Sequence, residues 1–201
     1  MDSLLLDSLL PLALFAFVSS ITPGPNNIML TSSGMRFGFV RTMPHVFGIS
    51  FGFTVLMALC ASGIGSLVLA VPAAHVVLKT LGSAYLVYLA WQLRDMGFAQ
   101  SVSGDARPLS FAGAALFQFA NPKAWMMGVT GASAFLPMVQ PVSLAIALYC
   151  IVFIAIGFPC IVVWAGAGAV LRRYLEQRRW QLLFCSVMIA LTLYSALAIW
   201  L

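Results

Sequence analysis

Thr22-Pro23-Gly24-Pro25-Asn26-Asn27 decides how this chain folds. It falls two-thirds of the way along an otherwise apolar stretch, roughly residues 8–33, that exceeds the about 20 residues a helix needs to cross a bilayer. Each proline lacks a backbone N–H and clashes with the carbonyl four residues earlier. Pro23 thus frees the carbonyl of Ser19, and Pro25 frees that of Ile21. Gly24 adds backbone freedom. A helix must stop here, and a new half-helix can begin, because glycine suits the N-cap and proline the first turn. Within a membrane, non-helical backbone is tolerated only where protein or a water-filled cavity surrounds it. The stretch therefore predicts a broken helix lining a polar site.

A matching interruption follows about a hundred residues later at Asn121-Pro122-Lys123. Pro122 frees the carbonyl of Gln118, and Asn121 is a good N-cap. Two interrupted apolar segments at corresponding positions of two halves point to a transporter binding site.

The composition leaves few other classes open. Of 201 residues, 62% are hydrophobic and 7% charged, which excludes an ordinary soluble domain and fits an integral membrane protein. The net charge of +5 does not imply nucleic acid, because the basic residues cluster between apolar segments. No basic n-region precedes the first span, where Asp2 and Asp7 stand instead, so that span reads as retained and not as a cleaved signal. Cys60, Cys150, Cys160 and Cys185 fall in apolar segments without metal or redox spacing and read as buried thiols. No metal site and no cofactor are expected.

Six spans are predicted, at about 8–33, 43–71, 74–94, 109–135, 141–171 and 181–201. Basic residues alternate between the connections. Arg36 and Arg41 flank the first, Arg94 and Arg107 the third, and Arg172, Arg173, Arg178 and Arg179 fill the fifth. The positive-inside rule then places those connections in the cytoplasm and both termini outside. An odd number of spans per half forces the halves into opposite orientation. Phe15-Ala16-Phe17-Val18 before the first break is echoed by Phe117-Gln118-Phe119-Ala120 before the second, and Gly63-Ile64-Gly65 by Gly166-Ala167-Gly168. The fold expected is an all-α membrane protein. Its six transmembrane helices form two inverted three-helix repeats, 1–100 and 101–201, with helices one and four broken. Gly48 and Gly52 form a small-residue pair, expected to serve a seam within the monomer; a homo-oligomer interface is the alternative.

Lys123 is the only charge placed deep in a span, and none of Asp2, Asp7, Asp95, Asp105 and Glu176 lies deep enough to pair with it. A charge at the membrane centre costs about 2.5–3.5 kcal/mol on insertion scales, so the residue should face the interior. Two readings stand side by side. Lys123 meets a substrate carboxylate, or it bonds freed carbonyls such as those of Ser19 or Ile21 and staples the breaks together. Asn26, Asn27 and Asn121 offer amide donors and acceptors, and the half-helix N-termini present positive dipole ends. These groups suit a zwitterion, with Thr22, Pro23, Gly24, Pro25 and Pro122 completing the candidate substrate site; Thr22 equally suits an N-cap. His45, after Pro44, is the candidate for proton coupling, against a satisfied interfacial histidine. Trp125, directly after the second break, is a candidate site wall, whereas Trp91, Trp164, Trp180, Tyr85 and Tyr88 read as belt or packing residues.

With these residues in view, the chain resembles the lysine exporter and homoserine/threonine exporter (LysE/RhtB) family of amino-acid efflux proteins. The resemblance rests on Thr22-Pro23-Gly24-Pro25-Asn26, on Gly34, Gly38 and Gly48, on Lys79 with Leu81-Gly82-Ser83-Ala84-Tyr85-Leu86, and on Asn121-Pro122-Lys123. The fuller stretch Thr22-Pro23-Gly24-Pro25-Asn26-Asn27-Ile28, Leu89-Ala90-Trp91 and the run from Ser110-Phe111 to Gln118-Phe119 resemble its cysteine and O-acetylserine exporters. The resemblance implies a secondary exporter of small neutral amino acids in the bacterial inner membrane, driven by the proton-motive force and not an enzyme. Its partners would be an amino-acid substrate and membrane lipids, with no nucleic acid. The rivals are a membrane thiol–disulfide electron carrier, disfavoured because neither break carries a cysteine, and a passive channel. A lipid-processing enzyme would need clustered carboxylates or metal ligands.

Overall fold

The break at residues 22–24 and a one-residue turn at Gly38 set the course of the first half. A computed structural model of the chain describes residues 2–64, 107–174 and 178–198, with scattered positions between 70 and 91. Among the described residues there are seven helices and no strand. Helix α1 spans Asp2–Ile21, α2 Pro25–Phe37, α3 Phe39–Ala61, α4 Phe111–Ala120, α5 Pro122–Phe135, α6 Val142–Tyr174 and α7 Arg178–Ala198.

α1 and α2 are the two arms of one broken apolar segment, bent by 52°. α3 and α6 are each long and apolar enough to cross a membrane, and the bent pair makes a third such element. The sequence places a connection around residues 34–42, but α2 runs on to Phe37 and α3 starts at Phe39. Gly38 alone turns the chain, at φ +83, in the left-handed region that favours glycine. Ser33 Oγ and Thr42 Oγ1, 3.0 Å apart, tie the two helices beside this turn. α3 also ends earlier than expected, at Ala61, where Gly63 takes φ +90. The segment 109–135 is divided at Asn121 into α4 and α5, at the second expected break. Most of the segment 74–94 and all of the linker up to residue 106 lie outside the described residues, as do Lys79 and His75.

α6 is the central helix and packs against α1, α2 and α3. Its seam with α2 is backbone against backbone. A Cβ on Gly34 would overlap the Ala165 carbonyl, and one on Gly168 would overlap that of Thr31. Gly48 and Gly52 likewise face the backbone of Phe111 and Ala115 on α4, so this pair serves a seam within the monomer, as expected. The echoed glycines are used differently where both are described: Gly63 follows a helix end, whereas its counterpart Gly166 sits inside a helix.

Two apolar clusters flank the centre. One gathers Leu12, Leu56, Met57, Trp125, Tyr149 and Phe153, with Phe15, Phe53 and Phe135 around them. The other gathers Leu30, Val46, Ile49, Ala114, Ile161 and Ala165. Large apolar side chains such as Leu10, Phe17, Phe51, Leu116, Ile151 and Val163 are exposed on the outside, as lipid-facing positions would be.

Candidate functional site

A cavity of about 50 Å³ lies where the two clusters meet, bounded by both breaks, α3 and α6. At about 10–15 Å³ per water it has room for a few water molecules. Of the residues proposed from sequence, Gly24, Pro25, Asn26, Asn27, Asn121 and Lys123 line it together. Among the described residues Lys123 is the only charged one in the lining. Ser19, Ser20, Ser50 and Thr54 add hydroxyls; Ile49, Phe53, Met127, Phe153 and Phe158 supply apolar wall.

The polar geometry follows from asking where each freed carbonyl goes, since an unpaired buried backbone group is costly. The Ser19 carbonyl, freed by Pro23, accepts from Thr22 Oγ1 at 3.1 Å. Asn27 Nδ2 reaches back to the carbonyls of Ser20 and Thr22, at 2.9 and 2.8 Å. The Ile21 carbonyl, freed by Pro25, accepts from the indole of Trp164 on α6 at 3.2 Å. At the second break the Gln118 carbonyl accepts from the Asn121 amide at 3.2 Å, and that of Phe119 from the Trp125 indole at 2.9 Å. Each break thus borrows an indole N–H for a carbonyl that regular helix would have satisfied.

Lys123 bonds neither Ser19 nor Ile21, whose carbonyls are already taken. Its Nζ donates to the Thr22 carbonyl at 2.9 Å, to Thr22 Oγ1 at 3.0 Å and to the Pro23 carbonyl at 3.3 Å. It does staple the breaks together, on the two residues that precede Gly24. Thr22 is therefore not an N-cap. That position belongs to Gly24, with Pro25 in the first turn and no side chain capping α2. At α5 the cap is Asn121, as expected, whose Oδ1 accepts from the Lys123 amide at 3.1 Å. The half-helix ends are thus unequal: Asn121 occupies that of α5, while the N-terminus of α2 carries no side-chain cap and opens on the cavity.

A second link between the breaks had no counterpart among the residues proposed from sequence. Asn26 Nδ2 donates to Gln118 Oε1 at 2.7 Å, and Gln118 Nε2 returns a bond to Asn26 Oδ1 at 3.2 Å and one to the Ala114 carbonyl at 2.9 Å. Gln118 is fully buried. Its only sequence signal is being the one amide in the apolar run of α4.

Other candidates fall outside the cavity wall. Pro122 is buried and does not line it, and Thr22 and Pro23 stay outside the wall while bonding the lining residue Lys123, with Thr22 also bonding Asn27. Trp125 belongs to the apolar cluster and does not line the cavity, while Trp164 is more than packing because it serves the break. His45 is buried on α3, away from the lining, and neither ring nitrogen has a partner among the described residues. The alternative reading, a satisfied interfacial histidine, calls for partners that the described residues do not supply. No three His, Cys, Asp or Glu side chains among the described residues group as metal ligands would.

Apolar helices around a cavity walled by two helix breaks, with large apolar side chains exposed outside, define a multi-pass membrane protein. Comparison with known proteins carries this further: the LysE type translocator family matches residues 17–198, and the chain belongs to that family. It is a transporter and not an enzyme. It is also similar to the cysteine/O-acetylserine efflux proteins of Escherichia coli (strain K12), Shigella sonnei (strain Ss046) and Shigella flexneri. Each is 35% identical to it over 187 residues, covering 92% of this chain and 93% of theirs. No solved structure matches the chain.

Proposed function

We propose that this translocator exports small neutral amino acids or their derivatives, of the cysteine, O-acetylserine, homoserine or threonine class, from the cytoplasm across the inner membrane. The observation that carries the reading is the cavity between the breaks, where one cation, three amides and an uncapped helix N-terminus converge. Gly24 and Pro25 line the site, and Pro23 and Pro122 shape it from outside the wall by breaking the two helices. The substrate carboxylate is received by Lys123 and the N-terminus of α2, and its polar groups by Asn26, Asn27 and Asn121. With one cation and no carboxylate in the lining among the described residues, a second positive charge on the substrate would find no partner there, which argues against lysine and arginine. The efflux relatives support the neutral class. None of the four cysteines lines the cavity, which weighs against a thiol–disulfide carrier.

The architecture that goes with this reading is six spans in two inverted three-helix repeats, 1–100 and 101–201, with both termini outside. Alternating access then rocks one bundle against the other. The proton-motive force drives the cycle, with His45 as the candidate proton carrier because it is buried with both nitrogens unpartnered among the described residues.

Counterflow in proteoliposomes tests the reading. Vesicles preloaded with unlabelled cysteine, O-acetylserine, threonine, leucine or lysine are followed for uptake of the same labelled compound, with Lys123→Met alongside. Saturable counterflow of a small neutral amino acid, lost in a normally inserted Lys123→Met, is expected. Counterflow of lysine alone, or full activity of Lys123→Met, refutes the assignment, and unsaturable flux favours a channel.

A further inference from the structure

The cation of the cavity is already fully engaged. Lys123 Nζ meets the Thr22 carbonyl, Thr22 Oγ1 and the Pro23 carbonyl, within 2.9–3.3 Å. An ammonium carries three N–H donors and no acceptor, and three acceptors from two consecutive residues converge on it. This cradle is a product of the break, because in continuous helix both carbonyls would be bonded to backbone amides. Its groups recognise a primary ammonium of any origin. They contain nothing specific to a lysine side chain.

Gly24 is what lets the lysine in. Its backbone is extended, at φ −174 and ψ 178, a conformation any residue adopts. Yet a Cβ there would stand 2.8 Å from Lys123 Cδ and 3.0 Å from Nζ. The glycine therefore answers to the side chain lying over it and not to backbone strain.

We propose that the Thr22–Pro23 cradle is the translocator's site for the substrate's α-ammonium, and that Lys123 is a tethered occupant which the arriving ammonium displaces. This rests on the amino-acid reading above. The exchange replaces one ammonium by another on the same acceptors, so little hydrogen bonding is lost at the cradle. The released Lys123 then turns to the substrate carboxylate, and its departure enlarges a cavity of about 50 Å³. Because the lysine ties the second break to the first, the empty carrier stays fastened until a molecule bearing both groups arrives. A carboxylate without an amine cannot take the cradle, and an amine without a carboxylate gives the lysine nowhere to go.

The test uses methylammonium as the probe, with tetramethylammonium, which has no N–H, as control. Binding to the purified protein in nanodiscs is followed by ligand-observed NMR. Lys123→Met is expected to bind methylammonium at least about tenfold more tightly than the wild type, tetramethylammonium should bind neither, and adding Thr22→Val should reverse the gain. Equal methylammonium affinity in the wild type and a folded Lys123→Met overturns the proposal. Should Lys123→Met not fold, the wild type decides. Lys79 and Lys123 are the only lysines in the sequence, so ¹⁵Nζ-lysine labelling gives two ammonium signals, assigned with Lys79→Arg. The Lys123 signal is expected to shift with a transported amino acid and not with its deamino analogue. A signal that stays in place at saturating amino acid overturns the proposal. Counterflow without the methylammonium gain refutes the tethered occupant and leaves the amino-acid reading standing. The gain without counterflow keeps the ammonium cradle and removes the amino-acid reading.

Discussion

Cutting the amide pair between Asn26 and Gln118 measures how firmly the two breaks are joined. The pair makes two bonds, at 2.7 and 3.2 Å, between α2 and α4. Interhelical hydrogen bonds in membrane proteins average about 0.6 kcal/mol, with a maximum of about 1.7. Two of them therefore couple the residues by about 1.2 kcal/mol, or roughly sevenfold in the folding equilibrium at about 1.4 kcal/mol per factor of ten. Each single change should exceed that figure. Gln118→Leu also gives up the bond to the Ala114 carbonyl, and either replacement strands the partner's amide beside the cavity. About 1–3 kcal/mol per single variant is expected. The assay is a double-mutant cycle of wild type, Asn26→Leu, Gln118→Leu and the double variant, unfolded in mixed micelles and followed by tryptophan fluorescence. The double variant should be less destabilised than the sum of the singles by about 1.2 kcal/mol, from the two bonds counted above. A coupling below about 0.3 kcal/mol, within ordinary additivity, would refute the view that this pair fastens one break to the other.

Further outcomes follow from the same geometry. Gly52→Ala should destabilise the protein by about 1–3 kcal/mol in the same assay, because its Cβ would stand 2.6 Å from Ala115 Cα and backbone cannot yield as a side chain does; an unchanged midpoint would show that α3 and α4 separate freely. Trp164→Phe and Trp125→Phe each strand a carbonyl at a break, and each should lose about 1–3 kcal/mol; a loss confined to one would show that the breaks differ in their dependence on a borrowed indole. Cys60, Cys150 and Cys160 are buried, so maleimide should label them only after unfolding; rapid labelling in intact membranes would contradict this packing.

The breaks were legible because their causes are local. Pro23, Pro25 and Pro122 remove particular N–H groups, and Gly24 and Asn121 are suited to start the helices that follow. The seam at Gly48 and Gly52 was legible for the same reason, as spacing along one helix face. The partners of the freed carbonyls were not. Trp164 is 143 residues from Ile21, and Lys123 is 101 from Thr22. Which donor reaches which oxygen depends on how α6 and α5 lie against the first break, and no periodicity encodes that. Local counting fixed on Ser19 and Ile21 as the carbonyls Lys123 would seek. It could not anticipate that Thr22 Oγ1 and Trp164 would reach them first. Gln118 was passed over because one amide in an apolar helix acquires meaning only from the Asn26 opposite it. Gly38 reads as one of several glycines after the first span, yet its positive φ alone shortens the expected connection to a single residue.

Trp164 and Pro25 share one oxygen, and this ties their histories together. Pro25 withholds the N–H that Ile21 would otherwise use, and Trp164 supplies a replacement from another helix. A lineage that loses the indole while keeping the proline inherits a stranded carbonyl. One that replaces the proline and lets the helix close releases the tryptophan from that duty. The neutral order of substitution is therefore directional: residue 25 must change before residue 164 is free to drift.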